Sequence, residues 1–349
     1  MKIAVDCRMS GKSGIGTFLD GILPFLQQKG TELFLFGGES KNPCTVKPFS
    51  LKEIFCFPRN LLDSINACDA YFSPYCNIPG GITVPVYTTI HDVVFLDVKG
   101  LASPAGTFIR KLFYLQAVKK SRSIFTVSQF SRERIIKRLR CRKPVTVVYN
   151  GVPAYIEKKE PPAEKGNSIL FIGNIKKHKG LSVLLAAFEK MYVLKAQNGG
   201  ERPRLLITGS QDSFRSKDST VFSSIEKINA QFPGSVLFTG FIEDSALKQL
   251  LSRARLLVQP SLYEGFGIPP LQALYCGTNA VISDIPVFKE IYSGFPVTFF
   301  ASGNPDDLCE KMISAYEQKK LASPVPDIYS YRRTASLILE ALAEKKQSL

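Results

Sequence analysis

The 349-residue chain is short of the residues that build metal centres and covalent staples. It has two histidines, and its eight cysteines (7, 44, 56, 68, 76, 141, 276 and 309) include no Cys-x-x-Cys pair. That distribution excludes a His-rich metal site and a disulfide framework. It fits small buried hydrophobes in a reducing cytosol. No Asp-x-Asp occurs, so the motifs call for no divalent cation and no other cofactor. The apolar runs fall short of the roughly 18 residues that suggest a spanning helix. Asp6 interrupts the first apolar run too early for a signal peptide. There is no low-complexity tract and no short tandem repeat. Acid is scarce in one place: from Lys99 to Lys143 thirteen residues are basic and one, Glu133, is acidic. Most of the formal net charge of +15 therefore sits in one region, which attracts polyanions such as nucleic acid or an anionic membrane. A merely solvated helix face would mix Glu with its Lys and Arg.

With 45% apolar and 21% charged residues the composition is that of a soluble globular protein, and the length favours two domains. Strands are expected at 2–6, 33–36, 70–72, 86–90, 124–127 and 145–148, then at 168–172, 204–208, 236–238, 255–259 and 280–283. Helical patterns fall between them, including 104–121 and 129–140. Strand and helix alternating twice over predicts an α/β chain of two doubly wound, Rossmann-like parallel sheets. Val152 to Asn167, with Pro161-Pro162, reads as the linker. This divides the chain into 1–160 and 161–326, with a helical segment, 327–343, at the end.

After the first strand, Ser13-Gly14-Ile15-Gly16 precedes an apolar-periodic segment beginning at Phe18, within which Pro24 implies a kink or an early break. Gly-x-Gly entering a helix can hold a phosphate. The dinucleotide fingerprint needs a third glycine where Leu19 stands, which argues against a nicotinamide cofactor. His91-Asp92 follows a predicted strand, where open α/β sheets bind ligands. It reads equally as a structural His capped by its neighbour. The most informative stretch runs from Leu256 to Gly277. An apolar strand leads to Glu264-Gly265-Phe266-Gly267, then to a helix with Pro269 and Pro270 in its first turn and Gly277 as its stop. Glycines let the chain turn sharply, and the helix start faces an anionic or hydroxyl-rich ligand.

These motifs resemble the retaining glycosyltransferases of the GT-B fold, family 4, over nearly the whole chain. The resemblance implies two Rossmann-like domains facing a cleft, with the C-terminal helix (327–349) packing back on the first. Glu264 corresponds to the first acid of a Glu-x7-Glu element and would act at the sugar of a nucleotide-sugar donor. Gln272 stands where the family places its second Glu, at the ribose. Gly173 to Gly180 matches a segment in which Lys179 neutralises the diphosphate. Many members have Arg where this chain has Asn174, with Lys176 or Lys177 as substitutes. Gly14 and Gly16 match the loop that approaches the diphosphate, and His91 and Asp92 a pair on the acceptor side, His91 being catalytic with Glu264. Gly240 and Phe241 lie in a loop resembling the one that holds the base. The reaction implied is transfer of a hexose or deoxyhexose to a saccharide acceptor, lipid-linked or oligosaccharide, with retention and without a metal.

An amide offers one acceptor oxygen where a carboxylate accepts from both ribose hydroxyls, so Gln272 also suits a deoxynucleotide sugar. Gln272 equally favours a second reading, an inactive GT-B-like binding subunit at the membrane. A nucleic-acid-binding protein is a third reading, but no recognition motif supports it. No nucleic-acid partner is therefore expected. Arg110, Lys111, Lys119, Lys120, Arg132, Arg134, Lys137 and Arg138, interleaved with apolar residues, are expected to bind an anionic membrane surface. They would place the protein peripherally on the cytoplasmic face.

Overall fold

Among the described residues, twelve strands pair in parallel to form two separate six-stranded sheets. The computed structural model describes residues 1–11, 13–28, 30–157, 163–209, 219–240, 242–318 and 329–343. Pro161 and Pro162 of the expected linker lie outside them, as do both ends of the expected segment 327–349. Contacts divide the chain into one unit of Met1–Pro153 with Pro326–Leu349, and a second of Ala154–Val325.

In the first unit the strands are β1 (Lys2–Asp6), β2 (Glu32–Phe36), β3 (Ala70–Ser73), β4 (Val86–Thr89), β5 (Ser121–Thr126) and β6 (Val145–Val147), in the spatial order β2-β1-β3-β4-β5-β6. In the second they are β7 (Ser168–Phe171), β8 (Arg204–Ile207), β9 (Val236–Phe238), β10 (Leu256–Gln259), β11 (Asn279–Ser283) and β12 (Thr298–Phe300), in the order β12-β11-β10-β7-β8-β9. Parallel strands covered on both faces need unbroken apolar runs. Ile169-Leu170-Phe171 and Leu256-Leu257-Val258 are such runs, all fully buried. Val5 pairs with Leu35 on one side and Phe72 on the other. Leu257 pairs with Leu170 and Ala280.

The order reverses between β1 and β3 and between β7 and β10, and a crevice opens beyond the carboxyl ends of strands at such switch points. The sequence motifs leave these strand ends. The Gly14 loop follows β1, the Lys179 segment follows β7, and Glu264 follows β10.

Three expectations need correction. The first helix spans Ser13–Leu26 and starts before Phe18, because its opening turn has Ile15 as its single apolar side chain, too few to show a period. Pro24 lies inside it and no break precedes Leu26. β5 begins at Ser121, earlier than expected, since its buried serines are invisible to an apolar pattern. The C-terminal helix Tyr331–Ala343 belongs to the first unit, where Thr334 Oγ1 donates to the Val148 carbonyl at 3.0 Å. A Cβ on Gly21 would lie 2.3 Å from the Tyr331 ring, so this glycine permits the packing.

Candidate active site

In the second unit two loops meet beyond β7 and β10. The turn Lys177–Lys179 ends at Gly180, whose φ is +69° and whose added Cβ would lie 2.0 Å from the Pro260 carbonyl oxygen. Only glycine allows that approach. The Leu262 N–H donates to the His178 carbonyl at 2.8 Å, closing the loops together. Lys179 Nζ is thereby brought to Glu264, at 2.7 Å from Oε1 and 2.8 Å from Oε2. Ser261 Oγ donates to Glu264 Oε1 at 2.8 Å and Gln259 Nε2 at 3.3 Å. Oε1 therefore has three donors and is fixed, which leaves Oε2 as the less committed oxygen.

Beyond Glu264, Gly267 has φ +87° and a Cβ there would strike the Phe288 ring at 2.3 Å. It opens the helix Ile268–Tyr275, with Pro269 and Pro270 in the first turn as the sequence predicts. Gly265 is buried, and Phe266 is a core residue whose ring is turned away from solvent. Gln272 is buried and donates through Nε2 to the Tyr155 hydroxyl at 3.0 Å. Burial, with Asp244 nearby, raises the pKa of Tyr155, so the phenol stays protonated. Gly173 is half-buried at the end of β7, and Asn174 is exposed, as are Lys176 and Lys177. Gly240 exchanges both backbone bonds with Gly209 at 3.1 Å. Phe241 lies outside the described residues.

In the first unit Gly14 and Gly16 lie within the opening turn of the helix Ser13–Leu26. A Cβ on Gly16 would sit 2.5 Å from the Met9 carbonyl oxygen, whereas Gly14 has open space beside it. Asp20 holds the loop by accepting from Ser10 Oγ at 2.6 Å and from the Gly11 N–H at 2.9 Å. His91 Nε2 lies 2.8 Å from the Pro74 carbonyl, which assigns the proton to Nε2 and leaves Nδ1 as an acceptor. The edge of Phe18 packs on the His91 ring at 5.0 Å. Burial lowers the His91 pKa to about 4, so the ring is neutral at pH 7. Asp92 Oδ1 accepts the Val94 N–H at 3.0 Å.

Residues outside the sequence expectations complete the site. Gln259 and Ser261 orient Glu264, and Tyr155 orients Gln272. His178 is buried beside Lys179, its Nδ1 lacks a hydrogen-bond partner, and burial together with Lys179 lowers its pKa to about 4. Ser261 and His178 lay inside quoted motifs; Tyr155 carried no signal. Among the described residues, no three His, Cys, Asp or Glu side chains converge as metal ligands.

The basic region is less uniform than its composition. Arg134 forms a forked pair with Asp97 at 2.7 and 2.5 Å, and Arg138 donates to the same carboxylate at 2.5 Å. Asp97 stands just outside the acid-poor window and offsets one of these two charges; Arg134 is half-buried in the pairing, while Arg138 stays exposed. Arg110 stacks on Phe95 at 4.3 Å, and Lys120 lies 3.5 Å from the Pro79 carbonyl. Lys111, Lys119, Arg132 and Lys137 are exposed. No described helix is long and apolar enough to cross a membrane.

Fold, switch-point loops and the Lys179–Glu264 pair define a class. The family model described as Glycosyl transferases group 1 matches residues 154–325, and that of Glycosyltransferase Family 4 matches residues 62–154. The chain belongs to the group 1, family 4 glycosyltransferases, with the two-domain Rossmann-like GT-B fold. It is similar to the O-antigen chain mannosyltransferase RfbU of Salmonella typhimurium, 28% identical over 240 residues that make up 64% of this chain and 61% of that protein. It also resembles O-antigen chain mannosyltransferase B of Escherichia coli, 27% identical over 63% of this chain and 58% of that one. The matches thus span about three-fifths of the length of these relatives. Among solved structures, HepE of Anabaena in complex with UDP and glucose covers 100% of both chains at a TM-score of 0.71 and 17% identity.

Proposed function

We propose that the chain transfers a hexose or deoxyhexose from a nucleotide sugar to a lipid-linked saccharide, in the assembly of a cell-surface polysaccharide, with retention of anomeric configuration. The observation that carries this is the Lys179–Glu264 pair at the switch point of the second sheet. It joins a cation for a diphosphate to a carboxylate for a sugar. The O-antigen mannosyltransferases among the relatives favour mannose as the hexose.

As the nucleoside diphosphate leaves, negative charge grows on its oxygens, and groups already oriented toward it lower the barrier. In the second unit Lys179 serves this purpose, and the proposed reaction uses no divalent cation. Glu264, fixed by Ser261 and Gln259, orients the sugar hydroxyls and steadies the oxocarbenium-like centre. Neutral His91 accepts from a hydroxyl through Nδ1. Displacement takes place on one face of the sugar. The exposed cations of the basic region, Lys111, Lys119, Arg132 and Lys137, hold the protein peripherally on the cytoplasmic face, near a lipid-linked acceptor.

A screen of UDP-, GDP- and dTDP-sugars for thermal stabilisation, followed by assay of donor hydrolysis, tests the reading. At least one nucleotide sugar should raise the unfolding temperature and be turned over. Binding without turnover would favour the alternative suggested by Gln272, a binding subunit without activity. No binding at all would overturn the site assignment.

A further inference from the structure

Phe49, Leu51 and Phe55 stand out in the first unit as large apolar side chains turned to solvent, Leu51 at 70% and Phe55 at 77% exposure. They lie on a short helix, Leu51–Phe55, and the turn that enters it. Phe49 adopts φ +62°, which a bulky residue takes up only when its surroundings hold it there. The holder is Glu53. Its carboxylate accepts the Phe49 N–H at 2.9 Å, binds Arg8 at 2.5 Å and accepts from Asn77, all without exposure to water. One side of this short segment is therefore a buried ionic anchor, and the other is bare hydrocarbon.

The charge around it is mostly of one sign, with exposed Glu39 and Asp63 at either end of the segment. From Lys41 to Leu62 there are four cations, Lys41, Lys47, Lys52 and Arg59, all exposed, and one acid, the buried Glu53. The segment also adjoins the basic region. The Gly80 N–H donates to the Glu53 carbonyl at 3.0 Å, and Lys120 reaches the neighbouring Pro79 carbonyl. Hydrocarbon side chains ringed by cations fit the boundary between anionic headgroups and acyl chains.

We propose that Phe49, Leu51 and Phe55 form an apolar wedge that inserts into an anionic lipid bilayer, braced from behind by the Glu53 carboxylate. This rests on the membrane reading above and extends it, because insertion outlasts the salt screening that weakens electrostatic attraction.

The chain contains no tryptophan, so Phe55→Trp gives a single reporter at the wedge. The variant is mixed with phosphatidylcholine vesicles, with and without phosphatidylglycerol, at low and high salt. Its emission should move to shorter wavelength on the anionic vesicles, and brominated acyl chains should quench it. Leu51→Ser combined with Phe55→Ser should reduce the sedimented fraction at high salt by about tenfold, with an unchanged unfolding midpoint. A tryptophan that keeps its aqueous emission while the protein sediments would overturn the wedge and leave the basic surface intact. If the wild-type protein fails to sediment with any vesicle, wedge and membrane reading both fall. A wild-type dimer that the double variant splits in the absence of lipid would assign the patch to a second copy, and so overturn it.

Discussion

Each unit places a cation against carboxylates just beyond the carboxyl end of a switch-point strand, and the two arrangements differ in how far water reaches them. In the first, the side chains of Arg8, Asp6 and Glu53 are 2%, 0% and 0% exposed. In the second, Lys179 is 20% and Glu264 10% exposed. Arg8 spends Nε and one terminal nitrogen on Asp6, the same nitrogen on Glu53, and the other terminal nitrogen on the Val46 carbonyl. The rings of Phe57 and Tyr75 lie 5.3 and 6.0 Å from its guanidinium carbon. Tyr71 and Tyr75 add hydroxyl bonds to Asp6. A planar, fully bonded guanidinium has nothing left to exchange, whereas a lysine ammonium at a crevice can pass from a carboxylate to a phosphate. The closed cluster is a structural brace and the half-open pair a working site.

The largest effect expected is on the closed side. Arg8→Met leaves two buried carboxylates without their cation and should cost about 3–5 kcal/mol in denaturant unfolding. Lys179→Met, whose partner Glu264 keeps partial access to water, should cost less, about 1–3 kcal/mol. Equal losses would erase the distinction between the two clusters. On the open side Glu264→Gln keeps the shape and removes the charge. Turnover should fall about 10²–10³-fold while the unfolding midpoint stays close to wild type. Near-normal turnover would remove Glu264 from the reaction. Lys179→Met should weaken free nucleoside diphosphate by at least about tenfold, read by calorimetry. A variant that altered sugar preference alone would contradict its assignment to the diphosphate.

Acid should separate the units more gently. Each contains one histidine, His91 or His178, whose pKa burial lowers from 6.5 to about 4. The unfolded chain takes these protons near pH 6.5 and the folded chain only near 4, so stability is full above 6.5 and drains away between 6.5 and 4. Burial raises the Glu53 pKa above its ordinary 4.5, which works in the opposite direction: the folded first unit takes that proton more readily as pH falls. Hydrogen-exchange protection followed from pH 7 downward should therefore fall sooner in β7 and β10 than in β1 and β3. The reverse order would mean that Glu53 does not buffer its unit.

The smallest effect concerns Gln272. With one Nε2 hydrogen donated to Tyr155, Oε1 offers one acceptor to a ribose, so UDP and dUDP should bind within about threefold of each other. Gln272→Glu should move the ratio toward UDP, and Tyr155→Phe should loosen it. UDP binding much more tightly than dUDP to the wild-type protein would end the deoxy reading.

Much of the fold was legible because parallel strands buried on both faces leave unbroken apolar runs, and glycine and proline punctuate them. Leu256 to Gly277 was readable almost residue by residue, down to Pro269 and Pro270 in the first turn. The exposed opening turn at Ser13 and the buried strand start at Ser121 were not, since small and polar residues carry no apolar period.

By itself, the sequence determined the alternation of strand and helix, the glycines at Gly180 and Gly267, and the motifs that mark the family. These depend on backbone sterics and local periodicity, which act over a few residues. Only the tertiary structure decided which charges meet. Lys179 finds Glu264 across 85 positions, Gln272 finds Tyr155 across 117, and Arg134 finds Asp97 across 37. Strand order sets those distances, and strand order follows from how the whole chain buries its apolar surface. The basic region shows the consequence: its thirteen cations are plain in the sequence, but which remain open to a partner depends on an aspartate brought in from outside it.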